Sequence, residues 1–201
     1  MSLFKKSLLL IFLLLLVDQS VKIWIKTHYT IGGGFDVFGD WAKIHFIENP
    51  GMAFGLKWGG DTGKLMLSSF RILAIIGLLW YLYYISKQKL PKIAVFSVAL
   101  ILAGAAGNIL DSAFYGLIFS ESNYHTVAQM FPEGGGYAGF LHGSVVDMFY
   151  FPMIDKIMPD WVPFYGGKRF IFFSPVFNVA DSCITIGVVL VIIFRKKFAK
   201  I

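Results

Sequence analysis

The chain has 201 residues, 57% of them hydrophobic and 15% charged, with a mean hydropathy of +0.69; this excludes an ordinary soluble domain and reads as an integral membrane protein. Its formal charge of +6 does not point to nucleic acid, because half of the basic residues sit in three patches that each abut an apolar run: Lys5 and Lys6; Lys87, Lys89 and Lys92; Arg195, Lys196, Lys197 and Lys200. The single cysteine, Cys183, excludes an intramolecular disulfide framework and a cysteine-based zinc site. With no composition shift and no internal repeat, residues 1–201 read as one integral membrane domain.

The first apolar run, about 7–25, lacks a small-residue cleavage site and carries Asp18 and Lys22, so it reads as a retained transmembrane helix. Residues four apart share a helix face, so these two either pair or face a common cavity. The outer loop 26–64 is polar, aromatic and glycine-rich. Within it, Phe35 to Phe38 and Lys43 to Ile47 alternate like short strands, which predicts a small β-sheet at the membrane surface. Glu48 to Gly55 combines a turn with an exposed apolar tip.

A second span covers about 65–85, with Arg71 near its start and an aromatic belt of Trp80, Tyr81, Tyr83 and Tyr84 at its end. The third, about 93–111, is rich in Ala and Gly, which suits close helix packing in lipid. It ends with Asn108 and Asp111 on one face. The outer loop 112–176 has no run long enough to span. Its many Phe, Tyr and Trp residues give it the character of an amphipathic, interfacial segment, and Gly143 to Phe149 holds one acid, Asp147. The fourth span, about 177–194, opens with Phe177, Asn178, Val179, Ala180 and Asp181 and runs into the basic tail. An ionisable group inside an apolar run marks a functional site by default, since its insertion costs about 2.5 to 3.5 kcal/mol.

The expected fold is therefore a membrane all-α bundle of four transmembrane helices with a small β-sheet and an interfacial segment on the outer face. Four spans put both termini and all three basic patches on the cytoplasmic side. At about 1.5 Å rise per residue, Asp18, Lys22, Asn108, Asp111, Asn178 and Asp181 then gather in the outer leaflet, with Asp147 in the loop that caps them.

No metal-ligand pattern and no nucleophile elbow occurs, and the four histidines are dispersed through loops. No metal and no cofactor is expected. Carboxylates remain. Two aspartates brought together share a proton, so that one acts as a base on water while the other donates to a carbonyl oxygen, which cleaves an amide without a covalent intermediate. Asp147 and Asp181 flank and begin the fourth span, but position alone does not separate Asp147 from Asp111 as the partner of Asp181. A small ion-coupled transporter or channel subunit is the competing reading, since intramembrane acids also mark ion paths.

Five segments in order resemble the lipoprotein signal peptidases, the bacterial signal peptidase II family: Asp18-Gln19-x-x-Lys22; Asn49-x-Gly51-x-Ala53-Phe54-Gly55; Gly104 to Asp111; Val145-Val146-Asp147; and Phe177-Asn178-x-Ala180-Asp181. The resemblance covers nearly the whole chain. It implies an intramembrane aspartyl endopeptidase of the bacterial inner membrane, with its active site toward the outer face. Such an enzyme removes the signal peptide of a diacylglyceryl-modified prolipoprotein just before the lipidated cysteine, and globomycin-type inhibitors occupy its cleft. By the same resemblance Asp147 and Asp181 are the catalytic pair. Asn49, Gly51, Asn108, Asn178 and Asp111 position substrate or aspartates, and Asp18 and Lys22 support the site. The chain departs from the family in two ways. Ser112 stands where an arginine usually follows the third-helix aspartate, leaving Arg71 or Lys168 as candidate substitutes, and the stretches 112–142 and 149–175 are longer than usual.

Overall fold

The computed structural model describes residues 1–50 and 60–198. Among the described residues, three helices are long and apolar enough to cross a membrane, over Leu3–His28, Thr62–Ser86 and Lys92–Ile118. The first is α1 (Leu3–His28), opened by Ser2, whose hydroxyl accepts from the Lys5 backbone N–H. The second lies within α2 (Gly60–Ser86). Along α2, Met66, Phe70, Leu73, Ile76 and Trp80 recur once per turn and are all exposed, the stripe expected of a helix facing lipid. The third begins directly after Pro91 as α3 (Lys92–Leu110), passes through a π-helical turn at Asp111–Tyr115 and ends as α4 (Gly116–Ile118).

That continuation corrects the expectation that Asp111 closes the third span and that 112 opens a loop. The acid does not need water, because buried groups of α1 satisfy it inside the bundle. The helix therefore runs on, widened at the turn where the Ser112 hydroxyl donates to the Asn108 carbonyl at 3.2 Å. The fourth apolar run is also shorter than its composition implies. Val176–Phe177 forms a strand, and the helix proper is α5 (Val179–Ile193), 15 residues long, followed by the short α6 (Arg195–Phe198).

A small sheet was expected, and the one present is larger than the sequence indicated. Its strands are β1 (Gly34–Phe38), β2 (Ala42–Asn49), β3 (Val145–Tyr150) and β6 (Val176–Phe177), antiparallel and in the order β1-β2-β3-β6. Ile47 lies opposite Asp147 and Phe149 opposite Phe177, so Asp147 belongs to a central strand and not to a loop. The strands β4 (Ile154–Ile157) and β5 (Arg169–Phe172) form a separate two-stranded hairpin.

Two apolar clusters hold these parts. One, between α1, α2 and α3, includes Ile11, Leu82, Ile85, Val95, Val98 and Leu102. The other joins the end of α1 and the π-helical turn and α4 to the sheet through Ile25, Phe46, Tyr115, Phe119, Val146 and Met148. Helix α3 packs closely on α5, where small residues permit it. A Cβ on Gly104 would meet the Ala180 carbonyl oxygen at 2.2 Å, and one on Gly187 the Ser97 carbonyl oxygen at 2.7 Å. This contact carries the start of α5 into the bundle.

Candidate active site

Three residues of α1 at helical spacing, Asp18, Lys22 and Lys26, are all buried. A buried ammonium is tolerable only with acceptors around it. The Lys22 Nζ lies 3.0 Å from Asp18 Oδ2, 2.8 Å from Asp111 Oδ2 and 3.0 Å from Asn108 Oδ1. Gln19 adds a second tie, donating to Asp111 Oδ1 at 2.8 Å and to Asp18 Oδ2 at 3.1 Å while its own Oε1 accepts from the Tyr115 hydroxyl at 3.2 Å. The Val146 N–H points at Asp111 Oδ2 from 3.3 Å, so both oxygens of Asp111 are engaged.

Asp18 reaches the other way. Its Oδ1 accepts the Ala180 N–H at 2.9 Å, in the first turn of α5. A carboxylate from a neighbouring helix thus satisfies an N–H that α5 leaves open and faces the positive end of that helix. Gly107 makes the approach possible, since a Cβ there would lie 2.7 Å from Asp18 Oδ2.

Asn178 caps α5. Its Oδ1 accepts the Asp181 N–H at 2.8 Å, and Asp181 Oδ2 accepts the Asn178 N–H at 3.4 Å, a reciprocal capping box. The same carboxamide turns its Nδ2 to the sheet, donating to Asp147 Oδ1 at 2.7 Å, Asn108 Oδ1 at 3.1 Å and the Val146 carbonyl at 3.2 Å. Asn108 completes the circuit, with Nδ2 on Asp181 Oδ1 at 2.8 Å. Two carboxamides therefore connect Asp147 on β3 to Asp181 on α5 and both to Lys22. Asp147 is buried and Asp181 half-buried. Burial, followed by the negative charge of Asp181, pushes the Asp147 carboxyl up to about 7.

Seven of the residues singled out from the sequence, Asp18, Lys22, Asn108, Asp111, Asp147, Asn178 and Asp181, thus form one hydrogen-bonded network. Asn49 ends β2 opposite Val145, beside that network. Gly51, with the rest of its motif through Gly55, lies outside the described residues. Of the two candidates for the missing arginine, Lys168 is remote: it is exposed and donates to the Phe164 carbonyl of its own hairpin. Arg71, half-buried on α2, is close enough to Asp181 for their charges to interact.

Sequence reasoning missed two groups. Gln19 stood in the first-helix motif without a role, although its carboxamide joins Asp18, Asp111 and Tyr115. Lys26, one helical turn beyond Lys22, is fully buried, bonded to Glu48 and to Ser122 Oγ at 2.8 Å, and stacked over Phe119 and Tyr137. The spacing 18, 22, 26 was the signal available for it. Among the described residues, every buried side-chain nitrogen and oxygen has a hydrogen-bond partner.

The arrangement is similar to known proteins throughout its length. The family described as Signal peptidase (SPase) II matches residues 10–196. The lipoprotein signal peptidase of Porphyromonas gingivalis is 51% identical over 185 residues, covering 92% of this chain and 80% of that one. That of Amoebophilus asiaticus is 34% identical over 92% of this chain and 75% of its own. A solved bacterial membrane enzyme superimposes with a TM-score of 0.59 at 26% identity, over 94% of this chain and 91% of that one. The competing reading as an ion path is thereby set aside, and the chain belongs to the signal peptidase II family, enzymes that remove the signal peptides of prolipoproteins.

Proposed function

We propose that Asp147 and Asp181 are the catalytic pair of an intramembrane aspartyl endopeptidase that cuts a diacylglyceryl-modified prolipoprotein just before its lipidated cysteine. The observation that carries the assignment is the contrast among the three acids. Asp111 has both oxygens committed to Lys22, Gln19 and the Val146 N–H, whereas Asp147 and Asp181 are held by the neutral carboxamides of Asn178 and Asn108. A carboxylate neutralised by an ammonium is a poor base. A pair bridged by amides keeps a proton to exchange.

Burial favours the protonated form of Asp147, which supports its role as the proton donor, and Arg71 stands near Asp181. In the proposed reaction Asp181 takes a proton from water as the water oxygen bonds to the scissile carbonyl carbon, and Asp147 gives its proton to the carbonyl oxygen. As the C–N bond breaks, the amine leaves with the proton held on Asp181, and Asp147 recovers its own from the collapsing hydroxyl. Asn49, Asn108, Asn178 and the Lys22 network hold the two acids and the substrate backbone. Globomycin-type cyclic peptides compete for the same cleft.

In this reading α5 is a fourth span, both termini are cytoplasmic and the cleft opens at the outer face, level with the scissile bond of a lipid-anchored substrate. Cleavage of a lipidated prolipoprotein by purified protein tests the pair. Asp147→Asn and Asp181→Asn each lose about three orders of magnitude or more in kcat with substrate binding retained. Full activity in either variant removes that residue from the mechanism.

A further inference from the structure

The insertion between β3 and β6 does not contribute to the network above, yet it has a definite form. Among the described residues, its strands β4 and β5 pair only with each other, Ile154 opposite Phe172 and Lys156 opposite Phe170. An isolated two-stranded hairpin is marginal in water and needs something to pack on. Instead it displays apolar side chains: Ile157 at the end of β4 is 74% exposed, and in the turn Trp161 is 81% and Phe164 91% exposed. Phe164 also sits at φ +67°. A bulky residue in the left-handed region is strained, and here the strain projects an aromatic ring outward without burying it in the fold.

The position of the hairpin says what covers it. At about 1.5 Å per residue the 15 residues of α5 span about 22 Å, short of the roughly 30 Å hydrocarbon layer. The inner end of α5 is fixed by the cations Arg195, Lys196 and Lys197. The shortfall therefore falls at the outer end, where Phe170, Ile171, Phe172, Phe173, Val176 and Phe177 lead directly into the Asn178 cap. The root of the hairpin is thus continuous with the lipid-facing surface of the bundle. Its charge is nearly balanced, with Lys156, Lys168 and Arg169 against Asp155 and Asp160, and Arg169 pairs with Asp155 at 2.5 Å. Trp, Tyr and Phe with few net charges is the composition that settles at the membrane–water boundary, and the unpaired outer edges of two strands keep it out of the hydrocarbon centre.

We propose that the β4–β5 hairpin, through Ile157, Trp161 and Phe164, lies in the lipid interface on the outer face of the membrane and anchors the outer sheet beside α5. The partner is the zwitterionic or anionic bilayer surface without preference between them. The proposal rests on α5 as a span and is independent of the assignment of the aspartates.

The test uses full-length protein in which Cys183→Ala removes the native thiol, reconstituted at one copy per nanodisc. Phe164→Cys, and separately Trp161→Cys, carries an environment-sensitive fluorophore, and Val189→Cys on the exposed face of α5 carries the same label as a depth reference. Lipids bear a nitroxide near the headgroup or deep in the acyl chain. The expected result is that the shallow nitroxide quenches the labels at 164 and 161, the deep one quenches 189, and iodide quenches the hairpin labels several-fold less than free dye. The pattern is the same in phosphatidylcholine and in discs containing phosphatidylglycerol. A quenched 189 with iodide-accessible 164 and 161 overturns the hairpin anchor while leaving the span intact. An unquenched 189 overturns the span on which the proposal rests. Protection of 164 only after adding lipidated prolipoprotein, or only in discs holding two copies, assigns the surface to substrate or to a second copy and overturns it equally.

Discussion

At the scale of single residues, Asp147 gives the sharpest prediction. Burial and the charge of Asp181 hold its carboxyl at about 7, above the ordinary 3.8. An acid raised in this way binds more protons folded than unfolded between those values, so its contribution to stability is fully present at low pH and is lost as pH rises toward 7. The proposed reaction also needs Asp147 protonated, so kcat falls as pH passes through about 7. Thermal unfolding in detergent from pH 4 to 8 is expected to show a flatter pH slope for Asp147→Asn than for the wild type. Equal slopes would place the proton elsewhere. Lys22 supplies a second test. Its removal leaves Asp18 and Asp111 buried together without their cation, a loss of about 3 to 5 kcal/mol by comparison with other broken buried pairs. Lys22→Met is therefore expected to lower the unfolding midpoint by many degrees, and Asp111→Asn in the same chain to restore part of the loss. If the double variant is no better than the single, repulsion between the two acids is not what Lys22 relieves. The residues of this network on α1, α3 and α5 were legible in the sequence as polar groups in or at the head of an apolar run, and Asp147 as the one acid between Gly143 and Phe149. Their partners were not, since a hydrogen bond between Gln19 on one helix and Asp111 on another leaves no mark in either local pattern.

At the scale of elements, the contact of α3 with α5 is what places Asp181 and Asn178 against Asn108. The glycines that allow it were visible as a small-residue stretch, and their effect on geometry is testable. Gly104 faces α5 with no room for a Cβ, whereas Gly77 of α2 has nothing within 4 Å of one. Gly104→Ala is expected to push α5 off and cost activity as well as stability. Gly77→Ala, relieving the entropic penalty of a mid-helix glycine, gains about 0.5 to 1 kcal/mol. Unfolding midpoints and cleavage rates of the two variants decide this, and a neutral Gly104→Ala would mean that the close contact is dispensable. The ends of elements were the part the sequence concealed. Asp111 looked like a water-side stop, yet the helix continues because Lys22 and Gln19 satisfy the acid from within. Phe177 looked like the start of a helix, yet pairing with Phe149 draws it into the sheet. In both cases a tertiary partner overrode a local signal.

At the scale of the whole molecule, the number of membrane crossings turns on α5. The sequence placed four apolar runs between basic patches, and three of them stand as helices of sufficient length. The fourth, α5, owes its shortness to the site itself: the chain must leave the helical path at Asn178 so that its side chain can cap α5 and hold Asp147 together. A full-length fourth helix would carry the cap, and Asp181 with it, away from β3. If α5 spans, as proposed, the apolar residues of β6 and the hairpin root fill the missing thickness on one side, and the arginine and lysines of α6 bound it on the other. Counting α5 as a span puts Lys196 on the same side as Lys89, whereas counting it as a surface helix puts the two on opposite sides. Single cysteines at 38, 89 and 196, in a background carrying Cys183→Ala, distinguish these with a membrane-impermeant maleimide on intact spheroplasts. The exposed Phe38 position on β1 is expected to react at once, and positions 89 and 196 only after permeabilisation. Reaction at 196 in intact spheroplasts with 89 still protected would leave three spans, and would require the outer sheet and the end of the chain to share one side.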